Sequence, residues 1–194
     1  MTQHSGRTTD IERSPAAVFR RTDFGRITDR TTQHRLPATQ NTDYLHHRSK
    51  EYMTNLLGLL RALQIHYHML HWQAHGPNFA GDHAMYKGIY KSVSKEIDTW
   101  AEKIVYLIGP NAVGDVYIVS IIGQWIDRWS KLKTEAEIAL VPELDFQSLA
   151  KSVIEELRQS GKLTLGVDDF LVSACNSHET NLYQLKQRFD LQKV

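Results

Sequence analysis

Two long amphipathic patterns, separated by a Gly-Pro break, constrain this chain more than any other feature. From about residue 43 onward, Tyr52, Met53, Leu56, Leu57, Leu60, Leu63, Ile65, Tyr67 and Leu70 recur at mostly three- and four-residue spacing. That is the period of a helix with one wide apolar face. Thr42 or Asp43 can cap its start, and Gly76-Pro77 stops it, so the spacing predicts a helix over about 43–74. The pattern restarts at Gly81 or Asp82. Met85, Ile89, Val93, Ile97, Trp100, Ala101, Ile104 and Ile108 form a second stripe, ended by Gly109-Pro110, which predicts a helix over about 82–108. Two long helices joined by so short a turn form an antiparallel hairpin.

The rest of the chain continues in helical periods. Residues 111–144 mix β-branched residues with helical spacing; a helix is expected over 117–138, with Pro142 as the breaker. "DFQSLAKSVIEELRQSG" reads as an amphipathic helix ended by Gly161, and "VDDFLVSACNSHETNLYQLKQRF" as the last one, with Asp168 as a candidate cap. No internal repeat, Gly-rich phosphate loop or strand-dominated segment interrupts this. The expectation is an all-α four-helix bundle with a short extra connecting helix, occupying residues 43–194.

Residues 1–42 read differently. Arg7, Arg13, Arg20, Arg21, Arg26, Arg30 and Arg35 stand against Asp10, Glu12, Asp23 and Asp29, a local charge of +3 without a lysine. Apolar residues are few and keep no period, so the segment is expected to be a flexible arginine-rich tail. Its acids speak against a transit peptide, and it lacks the apolar core of a secretory signal. No stretch approaches the length of a membrane span. The whole chain carries a formal charge of +1, which names no partner, and its single cysteine, Cys175, points to a reducing cytoplasm and a packed thiol.

The chemistry-bearing residues flank the Gly-Pro turn. "HWQAHGPNFAGDH" places His71 near the end of the first helix and His83 near the start of the second. Alone, each reads as a helix-end histidine. Asp98 and Glu102 lie one helical turn apart, where they can clasp a divalent metal; alone, they are a solvated acidic pair that Lys95 or Lys103 could bridge. Fifteen residues of helix separate His83 from Asp98, about 22 Å at ~1.5 Å per residue. Metal bonds to nitrogen or oxygen are ~2.0–2.2 Å, so one chain cannot bring both to one ion. A second helix running antiparallel across a two-fold axis can, which would put the site between chains.

The stretch from His71-Trp72 through Gly76, Phe79, His83, Asp98, Ala101 and Glu102 resembles the signature of the Dps family, the mini-ferritins that protect DNA in starved cells. The resemblance extends more loosely over 43–190. It implies a ferritin-like bundle, a hollow dodecamer, and an inter-subunit ferroxidase centre. There, His71 and His83 of one subunit and Asp98 and Glu102 of its neighbour would bind iron, Fe(II) being oxidised by hydrogen peroxide and stored as Fe(III). Trp72 would lie beside the iron and take up an oxidising equivalent, while Trp100 reads as packing. Asp168 and Asp169 are candidates for an acidic three-fold pore, or simply for the first turn of a helix. A cytoplasmic, nucleoid-associated location would follow if the tail binds DNA, which seven arginines per copy permit without sequence preference.

One position departs from the pattern. The family carries an aspartate four residues after the second histidine; here Lys87 stands there. An ammonium does not coordinate iron, so the second iron site is in doubt. His75, four residues after His71, is a candidate substitute ligand, or else an exposed helix-end histidine; His66 and His68 read as surface or buried-polar residues of the first helix, not ligands. The rival expectation is a structural or DNA-binding shell of the same fold with weakened iron chemistry. A larger-ferritin enzyme is disfavoured by the lack of any E-x-x-H motif.

Overall fold

The computed structural model describes residues 38–190, with side chains from residue 47 onward except that of Asp115. The arginine-rich segment expected over 1–42 lies outside the described residues apart from 38–42, which open the first helix. The elements are α1 (Ala38–Gln73), α2 (Phe79–Leu107), a 3₁₀ turn (Pro110–Val113), α3 (Asp115–Trp129), α4 (Glu135–Gln159) and α5 (Leu165–Arg188). Among the described residues there is no strand, and no helix is long and apolar enough to cross a membrane.

The four long helices form a bundle: α1 packs along α2, α4 along α5, and the two pairs meet through α1–α4 and α2–α5 contacts. The stripes read from spacing supply its core. Met53, Leu56, Leu60 and Leu63 of α1, with Ile89, Val93, Ile97 and Ile104 of α2, are at most 2 % exposed. Each such side chain stabilises the fold by about 1.5–3 kcal/mol through leaving water. Trp100 is buried among them as expected, and its indole Nε1 donates to the Met53 carbonyl at 3.0 Å. Ile65 departs from the expected apolar face: it lies about 200° round the helix from Leu63 and is exposed. The short helix α3 lies on α1 at Gly58. A β-carbon there would fall 2.3 Å from Ile121 Cγ2, so only glycine permits the approach.

The helix expected over 117–138 with a break at Pro142 is corrected. The chain breaks earlier, between Trp129 and Glu135, and α4 runs straight through Pro142. Its start is set by a capping box. The Thr134 hydroxyl accepts from Glu137 N, and the Glu137 carboxylate accepts from the Lys133 and Thr134 amides, which hold its pKa below the usual value. The proline is tolerated because α1 repairs the damage. Pro142 has no N–H to offer the Ile138 carbonyl; His66 Nε2 donates to that oxygen at 2.8 Å, and the Tyr67 hydroxyl donates to Ala139 O at 2.8 Å. Burial lowers the His66 pKa despite that hydrogen bond, which keeps the ring neutral.

At the far end, Thr164 rather than Asp168 caps α5, its hydroxyl accepting from Val167 N at 3.3 Å. Asp145 secures the α3–α4 corner: Arg128 grips both its oxygens at 2.9 Å and Trp129 Nε1 donates to one of them at 2.9 Å.

A buried histidine pins three helices together. His178 of α5 is fully buried, with Nδ1 on Glu143 of α4 and Nε2 3.0 Å from Glu96 of α2. Its ring stacks on Phe146, and Asn181 Nδ2 donates to the other Glu143 oxygen at 3.4 Å. Carboxylates only accept, so both ring nitrogens donate and the ring is an imidazolium. Burial pulls its pKa down, but Glu143 and Glu96 together outweigh that and hold it at about 9.

Candidate functional site

The α1–α2 turn is built to bring two helix ends together. α1 stops at Gln73, Gly76 adopts φ +76°, where L side chains are strained, and α2 begins at Phe79. His71 and His83 meet across this turn with ring centroids 3.7 Å apart. Their hydrogen bonds are reciprocal. His71 Nδ1 donates to the His83 carbonyl at 2.8 Å, and His83 Nδ1 donates to the His71 carbonyl at 3.0 Å. A carbonyl can only accept, so each Nδ1 carries a hydrogen, and Nε2 is the ring nitrogen not spent on these bonds. The His71 carbonyl is available because it belongs to the last turn of α1, whose carbonyls lack intrahelical partners. Backbone contacts of this kind orient histidines for metal binding.

Asp98 and Glu102 lie one turn apart on α2, both exposed. Neither makes an ion pair with another described residue of the chain. By helical rise Asp98 is about 22 Å from His83. Among the described residues of one chain, no three histidine, cysteine or acidic side chains converge to hold a metal ion. A single chain therefore joins His71 to His83 and keeps Asp98 and Glu102 away from them.

Lys87 is exposed, one turn beyond His83 on α2. His75 does not share a helix face with His71, because α1 has already ended. It is exposed, and its Nδ1 donates to Gln73 O at 2.7 Å. The one-turn spacing that made it a substitute ligand is thus not realised. Trp72 is 67 % exposed. Asp168 sits half-buried in the first turn of α5, and Asp169 is exposed beside it.

The site also contains residues that motif reading passed over. The His68 ring lies between two aromatic rings, 4.1 Å from Trp72 and 4.2 Å from Tyr90, and Tyr90 lies 5.5 Å from His71. Helical spacing held the signal: His68 is one turn before Trp72, and Tyr90 two turns after His83. Arg188 grips Asp82 with two guanidinium nitrogens, Nη2 at 2.8 Å, tying the end of α5 to the start of α2. That pair spans 106 residues of sequence and had no local sign.

An exposed apolar stripe continues outward from this end of the hairpin. Ile65, Met69 and Trp72 follow at helical spacing on α1, with Phe79 across the turn, and each is at least 40 % exposed.

No family model matches the chain, and no curated protein does. Among solved structures, the X-ray structure of Dps from Thermosynechococcus elongatus is similar at a TM-score of 0.63 and 18 % sequence identity, covering 77 % of this chain and 94 % of that one. At that identity the likeness speaks for the architecture: the chain has a ferritin-like, Dps-like four-helix bundle with a short extra helix.

Proposed function

We propose that this chain is a Dps-type mini-ferritin. It would bind Fe(II) between two copies, oxidise it with hydrogen peroxide, and store the Fe(III) inside a hollow shell of twelve subunits. The observation that carries the reading is the reciprocal bonding of His71 and His83. It orients both rings through Nδ1 and leaves two Nε2 atoms for a metal, while the carboxylates that would complete the set stand exposed a helix-length away. A second copy related by a two-fold axis supplies Asp98 and Glu102 to the histidines, and the arrangement repeats at the other end of the interface. The exposed stripe of Ile65, Met69 and Trp72 supports such a face, since apolar side chains left open in a row on one helix are a surface that a second copy can cover.

Two imidazoles and two carboxylates suit Fe(II) while leaving coordination positions for the oxidant. Iron is the substrate here. The chain's residues hold it, neutralise its charge and keep it where peroxide can reach it. Lys87 replaces a carboxylate beside this site with an ammonium, so the centre takes one iron rather than two. A shell of the same fold with weakened iron chemistry is favoured by the same lysine and is the alternative. The segment before residue 38 would add phosphate contacts to DNA, with the salt sensitivity of such binding.

Mixed assemblies test the reading. H71A/H83A and D98A/E102A chains should each be inactive in Fe(II) oxidation by peroxide. Co-assembled, they should recover activity, because every interface between unlike chains has two sites, one of which combines intact histidines with intact carboxylates. No recovery in verified mixed assemblies would overturn the shared site, and wild-type binding no better than that of H71A/H83A would favour the inert shell.

A further inference from the structure

We propose that Lys87 is a tethered cation for Asp98 and Glu102 of a second copy, and that this ion-paired contact holds two copies together without a metal. The inference rests on the two-fold pairing of α2 proposed above and uses none of the iron chemistry.

The charges on the open face of α2 are sorted by sign. Lys87, Lys91, Lys95, Asp98 and Glu102 are all exposed. At ~100° per residue they fall within an arc of about 80° around the helix. The three ammoniums take the N-terminal part of that arc and the two carboxylates the C-terminal part. Lys95 precedes Asp98 by three residues, a spacing that allows an ion pair. Yet none of the five pairs with another described residue of the chain. The acids of α2 that are matched lie on its other faces: Asp82 holds Arg188, and Glu96 holds His178. A helix face with one sign at each end is complementary to its own copy turned end for end.

The two-fold geometry singles out Lys87. If the axis passes between Ser92 and Val93, position 87 stands level with Asp98 of the other copy; if between Ser94 and Lys95, with Glu102. Anywhere in that range the ammonium is within about one turn of both carboxylates, and His83 is within about one turn of Glu102 of the other copy. The ion pair and the shared histidine site therefore fit one arrangement, and a carboxylate has lone pairs enough for more than one partner. Lys95 fares the opposite way: throughout the range it lies within a turn of Lys91 of the other copy. The exposed Trp72 stands beside this face, joined to it through the rings of His68 and Tyr90, and adds apolar surface for the same copy to cover.

The test measures assembly of the full chain in chelator-treated, low-salt buffer by analytical ultracentrifugation over a range of concentrations. K87E should raise the concentration needed for assembly by roughly tenfold or more, because like charges then face each other, and D98K/E102K should do the same. Mixed, the two variants should assemble as wild type does, since each offers the sign the other needs. The triple variant K87E/D98K/E102K should assemble by itself, which separates lost pairing from lost folding. K95E makes the same change of charge on the same face but should ease assembly, its carboxylate meeting Lys91 of the other copy. If K87E assembles at the wild-type concentration, if the mixture does not recover, or if K95E weakens assembly as K87E does, the inference falls while the shared iron site stands. K87E that assembles normally but binds duplex DNA less well assigns the lysine to phosphate and overturns it too. Wild type that never self-associates removes the two-fold pairing, and the shared site with it.

Discussion

Two histidine clusters in this bundle use the same residue types to opposite ends. His178 is enclosed: both ring nitrogens face carboxylates of its own chain, Glu143 and Glu96, and nothing remains for an outside partner. His71 and His83 are half-satisfied: each spends Nδ1 on the other's backbone and keeps Nε2 in reserve. The acids divide the same way. Glu143 is fully buried and bonded, whereas Asp98 and Glu102 point outward without an ion pair among the described residues. The lesson is that saturated groups hold the fold, while groups with unspent valence are the candidates for a site. A count of histidines and acids would not separate the two; the bonds already made do.

Replacing members of each cluster should break the comparison cleanly. H178A leaves Glu143 buried and unpaired, so it should cost about 3–5 kcal/mol in denaturant unfolding, the range for breaking a buried ion pair. H71A/H83A should shift the unfolding midpoint far less. Equal losses in both variants would mean that the enclosed cluster is not the structural one. Raising the pH probes the same contrast with no mutation. The folded His178 pKa of about 9 lies above the ordinary 6.5, so the contribution is complete below about pH 6.5 and is lost as the pH rises through 9. The loss is on the order of 3 kcal/mol, seen as a falling unfolding midpoint between pH 7 and 10. H178Q should flatten that slope, and a wild-type midpoint that holds to pH 10 would remove the imidazolium from the account. The smallest effect sharpens the open cluster. K87D should leave stability within about 0.5 kcal/mol, as for an exposed position, yet raise Fe(II) bound per chain from one to two by anaerobic titration. An unchanged stoichiometry would show that Lys87 is not what limits the site.

Spacing alone revealed the α1–α2 hairpin, because a buried helix face must repeat every three or four residues and Gly-Pro pairs stop helices. It also brought His71 and His83 to one turn, since the ends of a tight hairpin must meet. The α3–α4 boundary was hidden by giving Pro142 too much weight: a proline disrupts a helix only when nothing replaces the bond it removes, and Thr134 with Glu137 was the stronger local signal. His178 was invisible for another reason. Its partners lie 35 and 82 residues away, and no local pattern encodes which helices will face each other. His75 is exposed beyond the end of α1, as the helix-end alternative expected, since one-turn spacing has meaning only while the helix lasts.

The proline in α4 carries a consequence for how the molecule comes together. A helix with a gap in its backbone ladder is poorly stable alone, and here the gap is closed by His66 and Tyr67 from a different helix. Until the N-terminal half arrives, those two carbonyls therefore lack the partners they have in the folded chain. Isotope-edited infrared absorption of the Ile138 and Ala139 carbonyls, which accept those bonds, would report directly on that meeting, making one proline a built-in gauge of whether the two halves have found each other.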